Sequence, residues 1–75
     1  MDISNYEIEI MRHAFERAIQ RKVTPDMIEA TILGGSIKRF GKHNAKFFRK
    51  YKKFTVICVC EITGLKIKVL TIETR

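Results

Sequence analysis

Several features that define common protein classes are missing from this sequence of 75 residues. No apolar run approaches the roughly 20 residues that span a membrane as a helix. The mixed, acidic N-terminal segment is unlike a secretion signal. The sequence has no phosphate-binding loop, no dinucleotide fingerprint and no Ser-His-Asp grouping in usable order. These absences predict a cytoplasmic protein without membrane contact and without the common signatures of nucleotide-binding enzymes or serine hydrolases.

Cysteine is also scarce, with Cys58 and Cys60 as the two examples. Residues two apart on a strand share a face but lie about 6.5–7 Å apart, beyond comfortable disulfide geometry. A metal site would need partners such as His43, because no second Cys pair exists to complete a zinc motif. We therefore expect two small buried hydrophobic side chains in a reducing compartment, no metal and no cofactor.

Acidic residues are absent between Glu29 and Glu61, although the chain carries a net charge of +7. Such asymmetry within one domain predicts a basic surface for a polyanion; the alternative is a solvated, solubilising surface. The residues predicted to contact nucleic acid are Lys38, Arg39, Lys42, His43, Lys46, Arg49, Tyr51 and Lys52.

Five aromatic residues are interleaved with these basic residues, namely Phe40, Phe47, Phe48, Tyr51 and Phe54. Aromatic rings beside phosphate-binding cations can stack on bases. At least half of them should belong to the core, because so small a domain needs them there. Tyr51 is the preferred stacking candidate, since it is amphipathic and has basic neighbours.

The same basic region contains no pair of carboxylates able to hold magnesium, so two-metal nuclease chemistry is not expected. Any phosphodiester cleavage would be metal-independent. RNA can supply its own 2′-hydroxyl as the nucleophile and DNA cannot, so RNA is the favoured substrate.

The pattern of apolar residues predicts two helices followed by strands. Residues 4–22 have helical periodicity, with Met11 and Phe15 at the centre of the apolar face. Thr24 and Pro25 fit the start of a second helix, and Gly34-Gly35 fits its end in a left-handed conformation. The buried side of this second helix is predicted as Met27, Ile28, Ile32 and Leu33.

Strands are predicted at residues 36–40, 54–62 and 65–73, with turns at residues 41–44 and at Thr63-Gly64. Residues 45–51 fit either a strand or a helical turn. The expected fold is α+β: a single domain, residues 1–75, with two N-terminal helices on one face of a three- to four-stranded antiparallel sheet.

The segment HAFERAIQRKV places His13, Arg17 and Arg21 four residues apart, and hence in one stripe along a helix. The stripe fits a solvated face in which Glu9 and Glu16 pair with the basic residues. Spacing alone favours that solvated face. The charge asymmetry of the chain and the order of its motifs favour instead a site in which His13 exchanges protons while the arginines hold phosphate oxygens.

The order of these elements resembles a known family. The spacing H-x3-R-x3-R at His13, Arg17 and Arg21, then Val23-Thr24, Gly34-Gly35 and a final VLTIE strand, is similar to domain-of-unknown-function family 4258. Lys22 stands where that family usually has glycine, and Glu73 where an aromatic residue is common.

The resemblance implies a relationship to the RelE/ParE-like and colicin-type ribonucleases, small α+β domains that cleave RNA without metal. It implies a toxin role, an antitoxin partner, and His13, Arg17, Arg21 and Thr71 at motif positions. Thr71 shares strand parity with Ile67 and Val69, so either it faces the helices or the site lies at the helix–sheet edge.

The leading hypothesis is a metal-independent endoribonuclease of the toxin type, acting on RNA such as ribosome-associated mRNA or tRNA. Two alternatives stay open: a non-catalytic RNA- or DNA-binding module, and a regulatory protein that binds an acidic protein partner.

Overall fold

The computed structural model describes residues 5–75, which form two helices and a five-stranded mixed sheet. The elements in chain order are β1 (Glu7–Ile10), α1 (Arg12–Gln20), α2 (Pro25–Gly34), β2 (Ser36–Phe40), β3 (Asn44–Lys50), β4 (Thr55–Thr63) and β5 (Lys66–Thr74). The strand order across the sheet is β1-β5-β4-β3-β2. Strand β1 pairs with β5 in parallel, and the other neighbours are antiparallel.

The predicted fold class is therefore wrong in two respects. A strand precedes the helices, which lie in the middle of the described chain, and the sheet has five strands of mixed direction. Residues 7–10 were expected within the first helix, but Ile8 and Ile10 lie opposite Ile67 and Val69 of β5. The alternation in Glu-Ile-Glu-Ile suits a strand of which one side is buried. The predicted start of that helix at residue 4 lies outside the described residues.

Helix α1 packs on β5 through its small residues Ala14 and Ala18, which are fully or almost fully buried. Its apolar face was predicted around Met11 and Phe15, but those side chains are 37% and 45% exposed. Alanine at the contact lets the helix backbone approach the sheet closely, and the larger apolar side chains are turned toward solvent.

Helix α2 begins as predicted. The hydroxyl Oγ1 of Thr24 accepts a hydrogen bond from the backbone N–H of Met27 (3.2 Å), and Pro25 is the first helical residue. Ile28 and Ile32 are buried as expected, whereas Leu33 is half exposed. Thr31, which no apolar pattern could indicate, is fully buried, and its hydroxyl donates to the carbonyl of Met27 (2.7 Å).

The predicted left-handed end of α2 is wrong, because Gly35 is extended (φ −89°, ψ −178°). Glycine is needed at this position for a different reason. A Cβ on Gly35 would collide with the carbonyl oxygens of Thr31 and Phe48. The absence of a side chain lets the end of the helix lie directly against β3.

The three predicted strands correspond closely to β2, β4 and β5. The ambiguous residues 45–51 fall mostly in β3, and Gly41 (φ +63°) lies in the β2–β3 turn. The turn between β4 and β5 is formed by Gly64 (φ +57°) and Leu65 rather than by Thr63-Gly64, since Thr63 still belongs to β4.

The core lies between the helices and one face of the sheet. It includes Phe47, Val56, Cys58, Cys60 and Ile72, together with Ala14, Ala18, Ile28 and Ile32 of the helices. The opposite face, which carries no described helix, is called the open face below. Its side chains include Ser36, Lys38, Phe40, Lys46, Phe48, Ile57, Val59, Glu61, Lys66, Lys68, Thr71 and Glu73, with Glu9 of β1.

A β-bulge in β5 determines which residues reach the open face. Val59 lies opposite Thr71 and Cys60 lies opposite Val69, so Leu70 is an extra residue without a partner on β4. An extra residue reverses the alternation of side chains beyond it. Val69 therefore faces the helices, and Thr71 and Glu73 face away from them.

Candidate nucleic-acid interface on the open face

The open face contains a cavity of about 350 Å³ toward the β2–β3 side of the sheet. Its lining residues are Lys38, Phe40, Lys46, Phe48, Ile57, Glu73 and Arg75. They come from four strands and the residue after β5, and the pairing register brings them together. Phe48 lies opposite Ile57, and Ile57 lies opposite Glu73. Lys38 lies opposite Lys46.

The cavity combines an apolar floor with a charged rim. Ile57 is 3% exposed, whereas Phe40 is 40% exposed. The Nζ of Lys46 lies 5.7 Å from the centroid of the Phe40 ring, which is within cation–π range. Lys38 and Lys46 form no ion pair with any residue in the range 5–75. Their charges are thus available to an anionic ligand, next to rings that could stack on a base.

Of the residues predicted to contact nucleic acid, Lys38 and Lys46 line this cavity. Thr71 lies near them, because it is opposite Val59, which is in turn opposite Lys46. Because of the bulge at Leu70, the side chain of Thr71 lies on the face away from the core and the helices. It shares a face with Lys38 and Lys46, two of the residues predicted to contact nucleic acid.

Arg49 and Tyr51 have structural contacts instead. The Nη1 of Arg49 donates to the carbonyl of Ala30 (3.3 Å), and the hydroxyl of Tyr51 donates to the carbonyl of Met27 (3.4 Å). The ring of Tyr51 stacks on Phe54 with centroids 5.6 Å apart. Both side chains therefore help to attach α2 to the sheet. The choice of Tyr51 as the stacking residue is not supported, because its ring is engaged on the helix-bearing side.

The remaining residues predicted to contact nucleic acid lie outside the cavity. Arg39 is paired in register with the fully buried Ala45, which places it on the helix-bearing side of the sheet. Lys42 and His43 are exposed in the β2–β3 turn, and Lys52 is exposed in the β3–β4 loop. None of the four lines the cavity.

The predicted catalytic residues do not meet in one place. His13 and Arg17 lie together on the exposed side of α1, where they line a depression of about 260 Å³ with Glu16 and Gln20. Arg21 is the residue that ends the helix and does not line this depression. Because α1 packs on the core face of the sheet and Thr71 faces away from that core, Thr71 cannot act together with His13.

Glu73, Arg75 and Ile57 are lining residues that the sequence patterns missed. Phe40 and Phe48 were among the aromatic candidates, but nothing separated them from the core residue Phe47. Alternation along β3 does separate Phe47 from Phe48 once residues 44–50 are recognised as a strand.

No cluster of three or more potential metal-binding His, Cys, Asp or Glu residues occurs within residues 5–75. Cys58 and Cys60 are free thiols buried on the core face of β4, as expected for small hydrophobic side chains. Within the same described range, no helix is both long enough and apolar enough to cross a membrane.

Comparison of the chain with protein-family models, with curated proteins and with solved structures finds no match. The resemblance to domain-of-unknown-function family 4258 therefore stays a prediction.

Proposed function

We propose that this protein binds single-stranded nucleic acid, with RNA as the favoured ligand, across the open face of its sheet. The observation that carries the proposal is the cavity in which Phe40 and Phe48 lie beside Lys38 and Lys46. Aromatic rings on a sheet surface stack on unpaired bases, and lysines beside them hold the phosphates. A duplex would not fit this role, because its bases are already stacked on one another.

The distribution of charge across the open face supports a path over β2 and β3. Toward the β1–β5 edge of the same open face, Lys66 pairs with Glu9 (3.6 Å), and Lys68 lies between Glu9 and Glu61 in the register. Carboxylates therefore offset the lysines of β5. Lys38 and Lys46 have no such neighbours in the register, since each lies opposite the other and Lys46 lies opposite Val59.

Salt dependence of binding tests this proposal. Affinity of the protein for a short fluorescent single-stranded RNA should be measured by anisotropy at about 50 to 200 mM salt. Each phosphate contact contributes about 0.7 to the slope of log affinity against log salt. The double variant Lys38→Gln/Lys46→Gln should lose about 1.4 from that slope.

The matched control is Lys22→Gln/Lys53→Gln, which removes the same charge at two exposed lysines that do not line the cavity. It should keep the wild-type slope. An equal loss in both double variants would show that net charge alone drives binding and would overturn the assignment to the open face. Absence of RNA binding by the wild type would overturn the proposed function altogether.

A second candidate function is metal-independent RNA cleavage at α1, favoured by the shared depression of His13 and Arg17. His13 would accept the proton of the attacking 2′-hydroxyl as its oxygen bonds to phosphorus, and the bond from phosphorus to the 5′-oxygen would break, with that oxygen taking a proton from water. Arg17 would stabilise the negative charge on the phosphoryl oxygens. RNA fragments ending in 2′,3′-cyclic phosphate, formed in EDTA and lost in His13→Ala, would establish it. An unchanged cleavage rate in that variant would remove His13 from the reaction.

The proposal includes a cytoplasmic location and an antitoxin partner. A cytoplasmic location suits the free thiols, because such cysteines persist in reducing compartments. An antitoxin partner is implied by the family resemblance alone.

A further inference from the structure

We infer that the cavity on the open face is a guanine-selective base site, with Glu73 as the residue that recognises guanine. This inference rests on the proposed function, since a base can enter the cavity only if nucleic acid binds to this face. It goes beyond that function by naming the base and the group that selects it.

Glu73 is the carboxylate among the lining residues, beside the cations of Lys38, Lys46 and Arg75. Its side chain is exposed, and it has no hydrogen bond or ion pair with any residue from 5 to 75. A carboxylate beside a phosphate path weakens non-specific binding, because it repels phosphate. Its place in the cavity is therefore better explained by a ligand that offers hydrogen-bond donors.

The register places Glu73 at the end of the apolar floor. Phe48, Ile57 and Glu73 lie side by side on three adjacent strands. Adjacent strands are about 4.8 Å apart, so the strand positions of Phe48 and Glu73 are separated by roughly 10 Å. A base stacked over Phe48 and Ile57 would thus direct its edge toward the carboxylate of Glu73.

Guanine is the base whose edge matches this arrangement. Its Watson–Crick edge presents the N1–H and N2–H donors side by side, and a carboxylate accepts both in parallel, as it does from arginine. Cytosine and adenine each offer one amino group beside an acceptor nitrogen, and uracil offers one N–H between two carbonyl oxygens. The O6 and N7 acceptors of guanine are the usual partners of lysine and arginine, which the cavity also supplies.

The test compares short uridine-rich RNAs that differ at one central base: guanine, adenine, cytosine, uracil or hypoxanthine. Anisotropy should show about tenfold tighter binding of the guanine RNA than of the adenine RNA. Hypoxanthine keeps N1–H and O6 but lacks the N2 amino group, so its RNA should bind with intermediate affinity. This comparison leaves the protein unchanged and does not depend on the folding of any variant.

The variant Glu73→Gln should reduce the preference for guanine over adenine to nearly one, because an amide cannot accept two parallel hydrogen bonds at one edge. The matched control is Glu61→Gln, since Glu61 lies on the open face but does not line the cavity. The control should keep the preference.

The guanine site is overturned if all five RNAs bind equally while Lys38→Gln/Lys46→Gln still lowers the salt slope. That result would leave the proposed function standing. A guanine preference that survives in Glu73→Gln would overturn the role of Glu73. If no RNA binds, both the site and the proposed function are wrong.

Discussion

The ammonium nitrogen of Lys46 lies 5.7 Å from the centroid of the Phe40 ring, and the two residues come from neighbouring strands joined by a short turn. Cation–π attraction at a partly exposed site contributes about 0.5–1 kcal/mol. The contact holds the lysine close to the ring, so a base stacked on Phe40 would bring its phosphate near an ammonium group that is already in place.

Replacing Phe40 with leucine should weaken binding of single-stranded RNA by about tenfold, because stacking on an aromatic side chain contributes roughly 1–3 kcal/mol per base. Anisotropy titrations would measure the loss.

The matched control for this substitution is Phe15→Leu, since Phe15 is a similarly exposed phenylalanine (45% against 40%) on α1. It should bind RNA as tightly as the wild type. Equal affinity of Phe40→Leu and Phe15→Leu would show that the Phe40 ring takes no part in binding.

Lys22 adopts the left-handed conformation (φ +58°) immediately after the residue that ends α1. Glycine is the usual residue at this position of a helix end, because a Cβ makes the left-handed conformation unfavourable. The substitution Lys22→Gly should therefore raise the free energy of unfolding by about 0.5–1 kcal/mol. Thermal denaturation followed by circular dichroism would measure the change.

A suitable comparison is Lys53→Gly, which removes the same charge from a loop residue whose φ is not positive. That variant should be slightly less stable than the wild type. Stabilisation of both variants by a similar amount would show that charge repulsion, and not backbone conformation, is relieved.

The parts of the fold that were predicted correctly depend on local signals. Thr24 and Pro25 define the start of α2 through contacts within one helical turn, so no distant residue is needed. Strand β1 was missed because Ile8 and Met11 also fit a helical repeat. What makes residues 7–10 a strand is pairing with β5 at the other end of the chain, for example Ile10 with Val69.

The candidate site was predicted only in part for the same reason. The charge pattern selected Lys38 and Lys46, and the structure brings both to one cavity. Glu73 joins them only through the register of three strand pairs and through the bulge at Leu70. Neither can be read from sequence spacing, because strict alternation from Val69 would place Glu73 on the core face.

Gly35 should be intolerant of substitution, although its backbone is extended. A Cβ at this position would meet the backbone oxygens of Thr31 and Phe48, which belong to a helix and a strand and cannot move independently. The variant Gly35→Ala should lose about 2–3 kcal/mol of stability in urea denaturation. Gly64→Ala is the comparison, because Gly64 has positive φ (+57°) but a Cβ added there would have no described atom within 4 Å.

Gly64→Ala should cost only about 1 kcal/mol, the strain of the left-handed conformation. If Gly35→Ala were the milder of the two, the close approach of α2 to β3 would not be a constraint on the fold.

Cys58 and Cys60 should make the stability of the fold sensitive to alkaline pH. Burial raises the pKa of Cys58 from 9.0 to about 12. Burial also raises the pKa of Cys60, and the nearby Cys58 raises it by a smaller amount. Both thiols thus stay protonated in the native state above pH 9, while the unfolded chain loses its thiol protons there. Their contribution to stability is complete below the unfolded pKa and declines as the pH rises toward the folded pKa.

Urea denaturation at a series of pH values from about 8 to 11 would measure this decline, with Cys58→Val/Cys60→Val as the comparison because valine is apolar and does not ionise. The wild type should lose stability more steeply with pH than the double variant, since only the wild type carries the two buried thiols. Parallel pH profiles would mean that the thiols ionise equally in the folded and unfolded states, and hence that the core face of β4 is open to solvent.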